Sequence, residues 1–364
     1  MTPAETAQVA VDRDHENLKT TDASRNAPPS PPTDDQQAEP YYKLKAVLKD
    51  TRVQPALHAQ YCHISTAVPS SNLLLVLCAN VLTIFDDFHM GDHVAIVAQY
   101  VHEDAEEQTT MVSATWIPGA VSSEVHSGSP RILLALSNGS LAVVDIIESQ
   151  VTQMFDGGFD GSGYVLLAAP EAWEGGKEHV CVLGGNSEAS VWDVANEERV
   201  STIEKAVSAV AYVDGALVAA YEASAGGGVG RYDVDGKALE ASGCAVLDGE
   251  EVDSILPVGN NACVLRGERE FRLWDMEEGK ITSTFKLKDK RDQSEVAFDA
   301  NGAVAVLGTD DGDGRVYDVQ SGEEICEIGV VRVSSEVEAV AVSNDGRHIV
   351  IAAGSGFLFR FLKT

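Results

Sequence analysis

A short alternating run, Ala189-Ser-Val-Trp-Asp-Val194, constrains this chain more than any other feature. It ends on an aromatic residue followed by an acid, and that ending returns with changed letters. LTIFDD spans residues 82–87, LAVVDI 141–146, VGRYDV 229–234, FRLWDM 271–276 and GRVYDV 314–319, and FLFRFL at 357–362 closes the chain without the acid. The acids Asp86, Asp145, Asp193, Asp233, Asp275 and Asp318 are spaced by 59, 48, 40, 42 and 43 residues, and Phe361 lies 43 beyond the last. Alternation of apolar and polar residues marks a strand with two unlike faces. A unit of about 40–45 residues built from such strands cannot bury its apolar side alone, so neighbouring units must stack. Seven endings in register predict seven copies of one β unit.

The period and the Trp-Asp-like ending resemble the WD40 repeat, in which each unit is a propeller blade. The expected fold is all-β: a seven-bladed WD40-type β-propeller over residues 41–364, preceded by a disordered tail at 1–40. The tail carries Pro28-Pro-Ser-Pro-Pro32, eight acids, few aliphatics and no period, too little apolar surface to offset the entropy of ordering. Order is expected to begin at Tyr41, where Tyr42–Leu48 alternates as a half-buried strand does. The chain ends on a strand with no residues left for a fourth. The 42–48 strand is therefore expected to join the last blade, leaving no open edge. The stretches Gly226–Gly230 and Asp310–Gly314 read as tight hairpins before the final strand of a blade, where φ > 0 is needed.

Charge and cysteine content narrow the class. There are 57 acids against 26 Lys and Arg, a net charge of −31, of which about −26 lies outside residues 1–40. Such a surface repels a phosphate backbone and attracts basic peptides, histone tails among them. No direct nucleic-acid partner is expected. The cysteines at 62, 78, 181, 244, 263 and 326 are scattered without a CxxC pair, as buried free thiols of a reducing compartment are. The first residues hold no apolar signal core. The densest apolar run, LLLVLCA at 73–79, is far too short to span a bilayer. A soluble intracellular protein with no membrane contact is the expectation. The glycines at 226–230 lack GxGxxG spacing. Asp310–Asp313 begins like a calcium loop, but counting from Asp311 the fifth position is Arg315 and the sixth Val316. His58, His63, His89, His93 and His102 suggest no metal site, and no GxSxG elbow is present. No catalytic residue, cofactor or metal is expected.

A narrower resemblance begins at Tyr42-Lys-Leu-Lys-Ala-Val-Leu-Lys-Asp50, followed by Gln54-Pro55 and Gln60-Tyr61. It continues through LLLVLCANVLTIFDD (73–87), Gln99-Tyr-Val101, Ala114-Thr-Trp116 and PRILLALSNGSLAVVDI (130–146), then Glu251–Ile255 through Phe271–Trp274. These segments, in this order, resemble the ESC/EED family (extra sex combs, embryonic ectoderm development), the propeller subunit of Polycomb repressive complex 2. The resemblance implies a nuclear, non-catalytic scaffold. Its partners would be an Enhancer-of-zeste-like SET-domain histone methyltransferase, held by a helical segment on one face, and other Polycomb subunits. The opposite face of the family reads trimethyl-lysine on the histone H3 tail through an aromatic cage, because ring faces attract a quaternary ammonium.

This chain departs from the family at that cage. The matching positions fall on Leu57, Val112, Ser294 and Glu295, none of them aromatic. Tyr61, Trp116 and Phe298 stand nearby but read as inward-facing core residues. The scaffold role is thus expected to carry over better than the reader role, with binding of the H3 tail weakened or lost. The competing reading is a generic WD40 adaptor in another intracellular complex, for example in ubiquitin ligation or trafficking.

Overall fold

The computed structural model describes residues 41–49, 55–62, 73–90, 93–102, 109–118, 130–159, 165–170, 177–233, 235–239, 252–258, 262–267, 270–286, 296–298, 302–309, 312–329, 336–354 and 356–364. The 1–40 tail lies outside them. The described residues form seven antiparallel sheets in chain order. After β1 (Tyr42–Lys49), blade one is β2 (Ala56–Tyr61), β3 (Leu73–Cys78), β4 (Val81–Met90) and β5 (His93–Val101). Blade two is β6 (Met111–Ile117), β7 (Arg131–Leu136), β8 (Ser140–Asp145) and β9 (Gln150–Asp156). Blade three is β10 (Leu166–Ala168), β11 (His179–Leu183), β12 (Ala189–Asp193) and β13 (Glu198–Ile203). Blade four has three described strands, β14 (Val207–Val213), β15 (Ala216–Tyr221) and β16 (Val229–Tyr232). Blade five is β17 (Ser254–Val258), β18 (Ala262–Arg266), β19 (Glu270–Asp275) and β20 (Lys280–Lys286). Blade six is β21 (Val296–Phe298), β22 (Val304–Gly308), β23 (Gly314–Asp318) and β24 (Glu324–Ile328). Blade seven is β25 (Val337–Val342), β26 (His348–Ala353) and β27 (Phe357–Lys363), with β1 paired antiparallel on its outer edge.

The first strands are the hub. Each of β2, β6, β10, β14, β17, β21 and β25 touches the next, and β25 touches β2, so the circle closes. The fold is a seven-bladed propeller. Among the described residues, no helix is long and apolar enough to cross a membrane.

The recurring aromatic-acid ending lies on the third strand of each blade. In blade six a fourth strand, β24, follows outside it, so Asp310–Gly314 precedes the third strand rather than the final one. The acid has a local task that accounts for its repetition. Asp145 Oδ1 accepts from the backbone N–H of Ile147 (2.7 Å) and Glu148 (3.0 Å), and Asp275 Oδ1 from those of Glu277 and Glu278 (both 2.9 Å). Asp318 Oδ1 accepts from Ser321 N (2.7 Å) and Asp193 Oδ1 from Asn196 N (3.0 Å). A carboxylate that bonds backbone two or three residues on folds the chain into a turn. The fourth residue after each of these acids is left-handed: Ser149 at φ 52°, Glu197 at 58°, Gly279 at 64° and Gly322 at 70°. The turn then feeds the outer strand.

The residue before the acid has a second task. In blades one, two, three, five and six the ladder between third and fourth strands shifts register there, at Phe85, Val144, Trp192, Trp274 and Tyr317. Such a bulge places two outer-strand residues opposite one and turns the extra one outward. Val97 and Val200 are extra residues of this kind, 51% and 42% exposed.

The core is a set of wedges between blades. One apolar cluster fills each of the seven junctions. Leu75 and Ile84 of blade one pack with Trp116, Ile132 and Leu134 of blade two, and Val304 and Val316 of blade six with Val340, Ile349 and Phe359 of blade seven. Fully burying one Leu, Ile or Phe contributes roughly 1.5–3 kcal/mol. The junction of blades seven and one is built from smaller groups, with Ala56, Ala59, Ala339, Ala341 and Ala352 among its members. The chain crosses this junction from β1 into β2, so its closure depends on β1 staying paired with β27.

Candidate interaction faces

The first strands all begin at one end of the ring, here called the upper face, and the third strands end at the other, the lower face. Leu57 and Val112 both fall on the upper face. Each is the second residue of its first strand and sits at a register shift, between Ala56 and His58 in β2 and between Met111 and Ser113 in β6. Ser208 in β14 and Glu338 in β25 occupy the same place in their blades. The bulge lifts the extra residue out of the ladder, so these positions ring the mouth of the upper face. The structure brings Leu57 and Val112 onto adjacent blades. Leu57 is 43% exposed, whereas Val112 packs partly against the core between blades two and three. Ser294 and Glu295 lie outside the described residues.

Neither described position offers a ring. Tyr61 and Trp116 are 4% and 0% exposed; Phe298 belongs to β21, but its side chain lies outside the described residues. Trp116 is committed elsewhere, its indole Nε1 donating to Gln60 O of the neighbouring blade at 3.2 Å. Beside Leu57, the Glu338 carboxylate crosses from blade seven to accept from Ala56 N at 2.9 Å. At the upper end of blade four the ring of Tyr221, 6% exposed, already carries a cation, with Lys205 Nζ 4.3 Å from its centroid. The described rim is aliphatic, hydroxylic and acidic.

The lower face holds a polar assembly that the linear pattern does not reveal. Asp87, with a side chain 1% exposed, lies just beyond the acid of blade one. Its Oδ2 accepts from Tyr61 Oη at 2.6 Å and from His348 Nδ1 at 2.8 Å, and its other oxygen lies against Arg360 Nε. His348 and Arg360 come from blade seven, so this group ties the ring's closing junction. The Asp87 contact takes the Nδ1 proton of His348. Arg360 Nη2, 3.1 Å from that nitrogen, finds its acceptor instead in the Asp87 carbonyl at 3.1 Å. Burial first, then the charge and hydrogen bond of Asp87, push the Tyr61 phenol well above its ordinary range, so it remains a donor. Nearby, Tyr42 Oη donates to Gly346 O at 2.6 Å, and Asn344 Nδ2 donates to Cys62 O at 2.9 Å.

The same device recurs. His348, His179 and Arg131 are each the first residue of a second strand, and each reaches toward the next blade. His179 Nδ1 lies 3.2 Å from Asp235 Oδ1, which also receives Lys177 Nζ at 2.6 Å. Arg131 Nη2 lies 2.9 Å from Glu178 Oε2. The signal available in the sequence is a basic residue opening a strand 14 residues before the position of the repeated acid, at 131, 179 and 348. The acids it meets belong to other repeats, so spacing alone does not pair them.

These groups tie adjacent blades to one another. The described residues contain no group of three or more His, Cys, Asp or Glu arranged to hold a metal ion. Burial pushes the Cys181 thiol up to about 12 and that of Cys326 up to about 11, so they stay protonated and weakly nucleophilic at neutral pH. Of the six cysteines, Cys62, Cys78, Cys181 and Cys263 are buried and Cys326 is half-buried; Cys244 lies outside the described residues.

No family model matches the chain, and no curated protein sequence does. Solved structures do. Raptor of Chaetomium thermophilum matches at a TM-score of 0.67 and 14% identity, over 88% of this chain and 29% of Raptor. The chain thus spans under a third of that protein's length. The C-terminal WD40 domain of Sif2 matches at a TM-score of 0.62 and 11% identity, over 89% of this chain and 98% of that domain. At such identities the likeness is one of fold, and the chain has the fold of a seven-bladed WD40 β-propeller.

Proposed function

We propose that this propeller is a non-catalytic scaffold subunit of a Polycomb-type histone H3 lysine methyltransferase complex, holding an Enhancer-of-zeste-like catalytic subunit in the nucleus. The observation that carries the reading is where the family-resembling segments fall. They map onto β1, β2, the β3–β4 hairpin, the end of β5, β6 and the β7–β8 hairpin, with a further piece across β17–β19. Most of them form one continuous sector, from the outer edge of blade seven through blade two, rather than scattering over the ring. A scaffold is also what the polar chemistry favours, since the buried charged groups face one another and not a cavity.

On this reading the reader role is weakened or lost while the scaffold role is retained. The upper rim carries Leu57 and Val112 where the family places rings, and a trimethylammonium gains nothing specific from aliphatic side chains. Feedback from methylated histone would then fall to another subunit. The test is co-purification of the full chain from nuclei that contain a SET-domain methyltransferase. Recovery of that enzyme supports the proposal. Recovery of ubiquitin-ligase or trafficking components without it would replace the proposal with the adaptor reading.

A further inference from the structure

Charge is distributed very unevenly along this chain. Between Arg52 and Lys177 there are 14 acids and a single Lys or Arg, Arg131. That one cation is committed inward, 13% exposed and paired with Glu178. Blades one and two, which are drawn from this stretch, therefore present no lysine and no free guanidinium among their described residues. Exposed acids at their surface, such as Glu148 and Asp156, belong to this stretch.

The same two blades carry an unusual share of exposed apolar surface. Ile96 is 60% exposed, Met154 52%, Val97 and Ile147 51% each, and Leu57 43%, half of all the large apolar residues exposed among the described ones. Of these, Met154 lines the cleft between the two blades, whereas Leu57 stands apart on the upper rim. Ile96 and Val97 stand side by side outward because the β4–β5 bulge breaks the alternation there. Between the outer strands of the two blades lies a cleft of about 500 Å³ lined by Tyr100, Val101, His102, Gln150, Val151 and Met154. Its walls are fixed. His102 bridges Tyr100 Oη (3.3 Å) and Thr109 Oγ1 (2.8 Å) through its two ring nitrogens, and Gln150 and Val151 lie in the β8–β9 ladder. Ile147 and Glu148 flank it in the turn that leads to β9.

We infer that this side-wall cleft between blades one and two is a docking site for a basic peptide segment that inserts one or two large aliphatic side chains. Val101, Val151 and Met154 supply an apolar anchor wall beside the polar Tyr100, His102, Ser149 and Gln150, and the cation-free, acid-bearing surroundings select the sign of the flanking residues. Anchors provide most of the affinity, while rim charges steer association and exclude wrong partners. The same net charge that draws a basic segment repels a second copy of this chain, an anionic membrane and nucleic acid. The inference rests on the cleft and its charge alone, and stands whichever protein supplies the segment.

The experiment selects a randomised 12-residue peptide library, displayed on phage, on the full chain and counter-selects on the doubly substituted chain Glu148→Lys, Met154→Lys. Both residues are exposed, and matched thermal melts check that the variant is folded. The inference predicts enriched peptides with at least three Lys or Arg around one or two Leu, Ile, Met or Phe. Synthetic versions should bind the variant about tenfold or more weakly by fluorescence anisotropy. They should bind a Val200→Lys control, altered on blade three, as they bind the parent. Replacing their aliphatic anchors by Ser should abolish binding. No enrichment, enrichment of acidic or neutral peptides, or binding unchanged by the double substitution would overturn it. So would full binding by the anchor-free peptides, which would reduce the effect to non-specific charge attraction.

Discussion

Asp87→Ala tests how the ring is held shut. The substitution leaves the Arg360 guanidinium, whose side chain is 4% exposed, without its counter-charge inside the junction of blades seven and one. Removing one partner of a buried ion pair costs roughly 3–5 kcal/mol, because the other charge stays buried and unpaired. Tyr61 and His348 lose their shared acceptor as well, although His348 is 14% exposed and can turn to water. The surrounding wedge, with its five alanines, has little apolar contact in reserve. The expected loss is therefore about 4 kcal/mol, a large part of the stability of a typical domain. Removing both charges, as in Asp87→Ala with Arg360→Met, should recover part of it, since the unpaired charge is then gone. Urea unfolding followed by tryptophan fluorescence measures this, and Trp116, bonded across the junction of blades one and two, provides a buried reporter. A single mutant within 1 kcal/mol of the parent, or a double mutant that loses the sum of the two single losses, would refute the clamp.

Three further outcomes follow from the same structure. A chain starting at residue 50 should be less stable than one starting at 41 by roughly 3 kcal/mol or more, the order expected for losing a buried aromatic. It forfeits the Tyr42 ring and its bond to Gly346, and equal melting temperatures would show that β1 does not secure the last blade. The hydrogen bond from Lys177, working against desolvation, holds the Asp235 carboxyl below its ordinary 3.8. Its contribution is thus present above that value and lost as pH falls below it, so Asp235→Asn should flatten the acid limb of a stability–pH profile. In calorimetry with matched histone H3 peptides, replacing the rings of the cage should cost on the order of 2–5 kcal/mol. A preference for trimethylated over unmodified lysine above about tenfold would reveal a cage elsewhere on the upper face.

Blade number was legible in the sequence because the acid of each unit has a local duty. Asp145, Asp193, Asp275 and Asp318 each nucleate a turn within three residues of themselves, so the requirement recurs wherever the unit does. The strand on which the ending lies was less legible. Blade four has no described fourth strand while blade six does, and periodicity counts units without ordering the strands inside them. The interaction faces were legible only in part. The identities at Leu57 and Val112 can be read from the sequence, but their shared bulge depends on pairing with β3 and β7. The Asp87 group was invisible, for His348 lies 261 residues away from it along the chain. Contacts closed by the ring leave no periodic trace. The cleft between blades one and two is an intermediate case: the cation-free stretch is plain in the sequence, and the pocket that gives it a purpose is not.

The most direct measurement of the scaffold claim uses purified components. The propeller, residues 41–364, is titrated by calorimetry with the N-terminal helical segment of the Enhancer-of-zeste-like subunit from the same organism. Because a helix held in a groove gains most from apolar anchors, the account predicts saturable binding that weakens only modestly as salt is raised from about 50 to 300 mM. Absence of heat at every salt concentration, with a folded propeller and no co-elution on gel filtration, would contradict it.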